Sequence, residues 1–166
     1  MPIIDNMLKE LEEEAQTTRR VLERVPGDQL NWRPHKTART LGELAMHVAI
    51  VPGALAELVA SPSPAQVPNF ADPVPESASE LLPALEQSIA KAKKALGGMD
   101  DDTLKETWRL MKGERELFAV PRVGLLRSVM LNHWYHHRGQ LTVYLRQLEV
   151  PIPSIYGPSA DENPFA

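Results

Sequence analysis

The stretch from 133 to 140 reads His133-Trp134-Tyr135-His136-His137-Arg138-Gly139-Gln140, and it sets polar groups where an amphipathic helix should carry hydrocarbon. At about 100° per residue, with His133 at 0°, His137 falls at about 40°, Gln140 at about −20° and Tyr144 at about 20°. Leu126 and Val129 share that stripe, at about 20° and −40°. Two histidines at i and i+4 on a buried helix face can converge on one metal ion, and a dry surround favours the neutral imidazole that a metal requires. A lone core histidine is more often simply hydrogen-bonded, so the reading needs a third ligand. His47 supplies it, because it lies in line with Leu44, Val51 and Leu58 on another apolar stripe. Three ring nitrogens facing one interior are costly without a metal or water to satisfy them. His136 sits about 100° away from His137 and reads as a boundary residue or a donor behind the ligands, and less readily as a ligand itself. His35, beside Pro34 in a connector, reads as a loop histidine.

Working outward, Pro121 opens this last helix, where a missing amide costs nothing, and the apolar pattern persists to about Leu148. The first segment, Ile3 to Val25, repeats apolar residues close to every 3.6 positions and stops at Pro26-Gly27-Asp28. Thr40 and Glu43 have capping-box spacing, which starts a second helix near Leu41. That helix runs toward Val59, and Pro52 removes the amide that would bond the Val48 carbonyl, so a kink or an early end is expected there. Ser77 and Glu80 repeat the box ahead of a third helix that ends at Gly97-Gly98.

Between Ser61 and Ser79 stand Pro62, Pro64, Pro68, Pro73 and Pro75, a density that excludes regular structure. A link this long lets the third helix run parallel to the second. The segment from Asp100 to Val120 is ambiguous, since Thr107-Trp108-Arg109-Leu110-Met111 suits a short strand or a helical turn, with Gly113 marking a turn. The tail from Val150 is proline-rich and irregular. The expectation is an all-α fold, a four-helix bundle with a long crossover loop between helices two and three, forming one domain over residues 1–166.

Composition narrows the function. The 166 residues are 43% hydrophobic and 24% charged, ordinary for a globular chain, and the net charge of −4 offers no basic field for nucleic acid. The charge-free run Leu44 to Ala56 is shorter than the roughly 20 residues a membrane span needs. No basic and apolar leader pattern opens the chain, so a cytoplasmic protein is expected. The absence of cysteine rules out disulfides, thiolate ligands and a cysteine nucleophile, so any thiol chemistry must bring its thiol from outside.

The run His133-x-x-x-His137-Arg138-Gly139-Gln140, the upstream Leu41-Gly42-Glu43-Leu44-Ala45-Met46-His47 and the downstream Val150-Pro151-Ile152-Pro153-Ser154-Ile155-Tyr156-Gly157-Pro158-Ser159 together resemble the DinB family. The resemblance covers nearly the whole chain. It implies a four-helix bundle, frequent homodimers, and a zinc, nickel, iron or manganese site made by three histidines, here His47, His133 and His137. Relatives include transferases that use bacillithiol or mycothiol and a thiol-dependent maleylpyruvate isomerase, while many members have no assigned reaction.

A divalent transition metal held by three imidazoles keeps open positions, as catalytic rather than closed structural sites do. The expected function is a metal-dependent enzyme acting on a small molecule, a thiol-dependent S-transferase or a hydrolase, and the family resemblance alone implies a low-molecular-weight thiol as cosubstrate. The alternative is a non-catalytic metal-binding stress-response module. Gln140 and Tyr144 are the residues expected to orient a bound ligand, Glu43 is either a capping residue or an acceptor behind His47, and Arg138 is expected to pair structurally on the far side. Leu131 and Tyr135, at about 160° and 200°, together with Trp134, suggest a homodimer surface opposite the histidines.

Overall fold

Helix α1 spans Ile3–Leu22 and buries one stripe that includes Met7, Leu11 and Thr18. The computed structural model describes residues 2–69 and 73–166. Helix α2 spans Leu41–Ala60, and its start is fixed by the reciprocal box in which Thr40 Oγ1 accepts from Glu43 N–H and Glu43 Oε2 accepts from Thr40 N–H. Two more of its leading amides reach back to the connector, Leu41 N–H to Trp32 O at 2.8 Å and Gly42 N–H to Leu30 O at 2.9 Å. Helix α3 spans Leu81–Leu96 after a 3₁₀ turn at Ala78–Glu80 that Ser77 and Glu80 cap. A short helix α4, Asp101–Lys105, is capped by Asp100, and Asp101 accepts the Ile3 amide at 2.8 Å.

Pairings between helices fix their directions. Glu57 meets Lys91 and Gly53 meets Ser88, so α3 runs parallel to α2, as a long crossover permits. Arg19 pairs with Glu86 and Lys93 with Glu12, so α1 is antiparallel to α3. The last helical rod begins with α5, Arg122–Leu125, continues through a π-helical stretch at Leu126–Asn132 and ends as α6, His133–Gln147. Arg122 reaches Val59 O near one end of α2 and Trp134 reaches Val48 O nearer the other, so the rod is antiparallel to α2.

The expected all-α class is corrected here: the fold is α-rich with a three-stranded mixed sheet. Strand β2, Thr107–Lys112, alternates with Trp108 and Leu110 turned inward, the period of a pleated strand rather than a helix. It pairs antiparallel with β3, Arg115–Pro121, through a two-residue loop that opens on Gly113 at φ 61°. A glycine with positive φ at the first loop position suits the twist of a tight hairpin. The proline-rich crossover is not wholly irregular either. Between Pro64 and Pro68 it contributes β1, Ala65–Gln66, parallel to β2, and Val67 N–H donates to Met111 O at 2.8 Å. Two proline-free residues at a sheet edge are compatible with flanking prolines. Residues 70–72 of the crossover lie outside the described residues.

One cluster of buried side chains, from Ile4 to Leu145, joins all the helices and the hairpin. Fully buried leucines such as Leu11, Leu41, Leu81 and Leu141 each contribute about 1.5–3 kcal/mol of transfer free energy. Helix α2 is long and apolar enough to cross a bilayer by length and composition, with a mean hydropathy of 1.5, and 67% of that window is buried inside the fold. Its apolar character is that of a core helix.

Candidate metal centre

Helix α2 runs through Pro52 to Ala60 rather than ending early. Pro52 deprives the Val48 carbonyl of its usual donor one turn later, and the Trp134 indole takes that place, donating Nε1–H to Val48 O at 2.8 Å. The next disturbance is repaired from α3. Ser88 Oγ accepts the Gly53 amide at 2.8 Å and donates to Ile50 O at 3.0 Å. Residue 53 must be glycine for this, because a Cβ there would lie 2.6 Å from Ser88 O and 2.9 Å from Ser88 Cα. The bond from Trp134 to Val48 also ties together the residues that directly follow His133 and His47, so it sets the spacing of two histidines on different helices.

His47, His133 and His137 come together, each offering one ring nitrogen within 4.8 Å of the others. His47 Nε2 lies 3.4 Å from His133 Nε2, and His137 Nε2 lies 2.7 Å from His133 Nε2. Two nitrogens bound at 2.0–2.1 Å to one tetrahedral ion stand about 3.4 Å apart, which the His47–His133 pair matches, while the His133–His137 pair is at hydrogen-bond length and would open by about 0.7 Å around an ion. His47 is buried and the other two are half-buried. His137 Nδ1 lies 2.7 Å from Gln140 Oε1, a carbonyl oxygen that only accepts, so Nδ1 carries the proton and Nε2 presents its lone pair. Burial pulls the His137 pKa down to about 4, against the opposing pull of the Gln140 hydrogen bond, and the neighbouring His47 and His133 lower it further. Three Nε2 atoms in mutual reach cannot all be acceptors facing one another; a proton or a cation must lie among them. The donor set therefore fits a divalent transition metal, and imidazole nitrogens are compatible with zinc, nickel or iron.

The other expected residues divide. Gln140 holds His137 as described, and Tyr144 donates to Arg39 O at 3.3 Å and packs edge-on against Trp32. Glu43 closes the capping box, and hydrogen bonds from Thr40 hold its carboxyl below the usual range. His136 is exposed beside the His137 ring and outside the ligand cluster, and His35 bonds Thr37 in its loop. Arg138, 1% exposed, faces α1, pairing with Glu14 at 2.6 Å and donating to Thr18 Oγ1 at 3.1 Å and to Tyr156 Oη at 2.5 Å. Leu131 and Trp134 are fully buried in the chain's own core and Tyr135 donates to Glu10 at 2.8 Å, so this side of the rod is covered by α1 instead of awaiting a partner.

Sequence reasoning missed the cavity on which the histidines open. Its volume is about 700 Å³, and it extends from Arg39 and Tyr144 past His47 to Trp108, Phe118 and Leu125. The alternation of Trp108 and Leu110 was the only signal of that far wall, and whether it formed a strand decided what it faced.

A family model described as the DinB family matches residues 1–163. A protein of Bacillus subtilis (strain 168) named YrdA, of uncharacterized function, is 30% identical over 160 residues, covering 96% of this chain and 91% of its own length. Among solved structures, a DinB-like protein from Bacillus cereus ATCC 10987 aligns with a TM-score of 0.70 at 24% identity, over 92% of this chain and 97% of that one. A second DinB-like protein, YjoA from Bacillus subtilis, aligns with a TM-score of 0.64 at 19% identity, over 87% and 92%. At these identities the two structures bear on the fold alone.

Proposed function

Because the chain belongs to the DinB family, we propose that it is a metal-dependent enzyme acting on a small molecule, a thiol-dependent S-transferase or a hydrolase. The observation that carries this reading is the convergence of three histidine nitrogens at one end of a cavity of about 700 Å³, within the size range of small-molecule sites. A purely structural metal needs no such space. His47, His133 and His137 would hold the ion, and a divalent ion with open positions supplies the Lewis-acid charge that lets a thiol or water ionise near neutral pH.

The chain's own residues do the rest. Gln140 fixes the His137 tautomer through Nδ1, as ligand histidines require. Burial keeps that imidazole neutral and available. The Tyr144 ring lines the cavity beside the histidines, and apolar walls continue beyond them. With no cysteine in the chain, the thiol must arrive as a cosubstrate. The homodimer is carried by family resemblance and belongs to this proposal.

Elemental analysis of the purified chain beside a His133→Ala, His137→Ala double variant tests the centre. About one ion per chain, lost in a variant that still folds, is the expected result. Thiol-dependent turnover of an electrophile that stops with a chelator would complete it. No metal after reconstitution with zinc, nickel, iron and manganese would overturn the reading. Tight metal binding with no turnover across thiols and electrophiles would make the chain a metal-binding module instead.

A further inference from the structure

The cavity is much longer than a metal centre needs, and its polarity is confined to one end. Along α2 its lining runs from Leu44 to Val59, and the part beyond His47 spans about 18 Å at 1.5 Å per residue. Opposite stand Leu125 and Val129 of the rod and Trp108, Leu110 and Phe118 of the hairpin. Trp108 is the single far-wall residue among these with a polar side-chain atom, and its indole N–H is already used, donating to Ser61 O at 3.1 Å. That wall offers a ligand only rings and alkyl groups. At the other end the histidines are joined by Arg39 and Gln140, both exposed, so this is the end that meets solvent. The connector there carries Arg33, Lys36 and Arg39, three cations against the one carboxylate of Glu43, which interacts with Arg33 and Arg39, in a chain whose net charge is −4.

From this layout we infer that the cavity takes an anionic amphiphile. Its carboxylate-class head lies at the histidine and Arg39 end, and its unbroken apolar chain follows α2 toward Trp108 and Phe118. The inference rests on the proposed metal centre for what holds the head; the apolar chamber receives the tail with or without an ion. Removing alkyl surface from water is favourable in proportion to its length, so each added methylene should tighten binding about three- to fourfold until the chain outgrows the chamber.

The test is calorimetric titration of n-alkyl carboxylates, from hexanoate to dodecanoate, into the zinc-loaded chain and into the His133→Ala, His137→Ala variant. The expected result is a similar gain per methylene in both proteins, with a constant offset in favour of the zinc-loaded one. Ala54→Trp, at an exposed position of α2 on the cavity lining, should flatten the gain by filling the chamber while leaving zinc stoichiometry intact; Ile50→Trp is the second variant if the first does not fold. An affinity independent of chain length, or a gain that both filling variants leave unchanged, would overturn the inference. Loss of the zinc offset alone would count against the metal centre and leave the chain-length gradient to decide the amphiphile.

Discussion

Trp134→Phe, made in two backgrounds, tests how α2 carries a proline through its middle. In the native chain the Val48 carbonyl accepts from an indole on another helix, at 2.8 Å, and Val48 and Trp134 are both fully buried. Phenylalanine leaves that carbonyl without a donor, at about 1–3 kcal/mol. It also removes part of a fully buried ring system, a packing loss of about 1 kcal/mol or more. The single variant should therefore lose about 2–4 kcal/mol. In a Pro52→Ala background the residue 52 amide stands one turn beyond Val48 and can take the carbonyl. Trp134→Phe should then cost the packing loss alone, and the cycle should show a coupling of about 1–3 kcal/mol. Urea unfolding of the four proteins measures it, with equal m-values as the check that the unfolded state is unchanged. Additivity to within about 0.5 kcal/mol would refute the reasoning. Since His47 and His133 precede the bonded pair, the Trp134→Phe chain should also yield its metal to a competing chelator more readily than the native chain.

Three further outcomes are expected. Gly53→Ala should destabilise by about 1–2 kcal/mol in urea despite alanine's better helix propensity, because its Cβ would meet the Ser88 backbone at 2.6 Å; a more stable variant would remove close helix approach as the reason for glycine. Gln140→Leu should weaken metal binding about 10- to 100-fold in chelator competition, by freeing the His137 tautomer, and an unchanged affinity would show that Gln140 does not set it. Glu10 is held below the usual carboxylate range chiefly by its hydrogen bonds from Arg127, so its pairing stabilises the fold above an unfolded pKa of about 4.3 and is lost as pH falls through the lower folded value. Glu10→Gln should thus trail the native chain by no more than about 1 kcal/mol at pH 7, given the pair's exposure, with the gap closing from pH 5 toward pH 3; a gap independent of pH would contradict this.

The helices and the histidine cluster were readable because their signals are local. Thr40 and Glu43 state where α2 starts, and His133 and His137 share a stripe as long as α6 is a regular helix. The sheet was not readable. Trp108 and Leu110 are two inward positions on a six-residue strand, too few to separate a period of two from a helical turn, and β1 is recognisable only through its partner across the sheet. The supposed partner surface failed for a related reason. Helical arithmetic set Leu131 and Tyr135 opposite the histidines, which is correct for one helix, but α1 lies against that side and Glu10, Glu14 and Thr18 occupy it. Amphipathicity describes a helix with one wet face; this rod is covered on both, by the core on one side and by a cavity on the other. An early end at Pro52, one of the two outcomes expected there, does not occur because the repair comes from Trp134, 82 positions away in sequence, and from Ser88 on α3.

The π-helical stretch at Leu126–Asn132 gives the rod a counting property. A π-turn bonds i to i+5 where an α-turn bonds i to i+4, so it carries an additional residue in its loop of backbone. The histidines are thereby phased against α2 by the number of residues between Pro121 and His133 as much as by their identity. Winding this stretch into a regular α-helix at unchanged length would turn His133 and His137 by roughly 100° relative to the part that Pro121 and Arg122 anchor, whereas removing one residue as the helix regularises would leave them close to their register. At this chain length the less regular helix is the one that keeps three ligands in register.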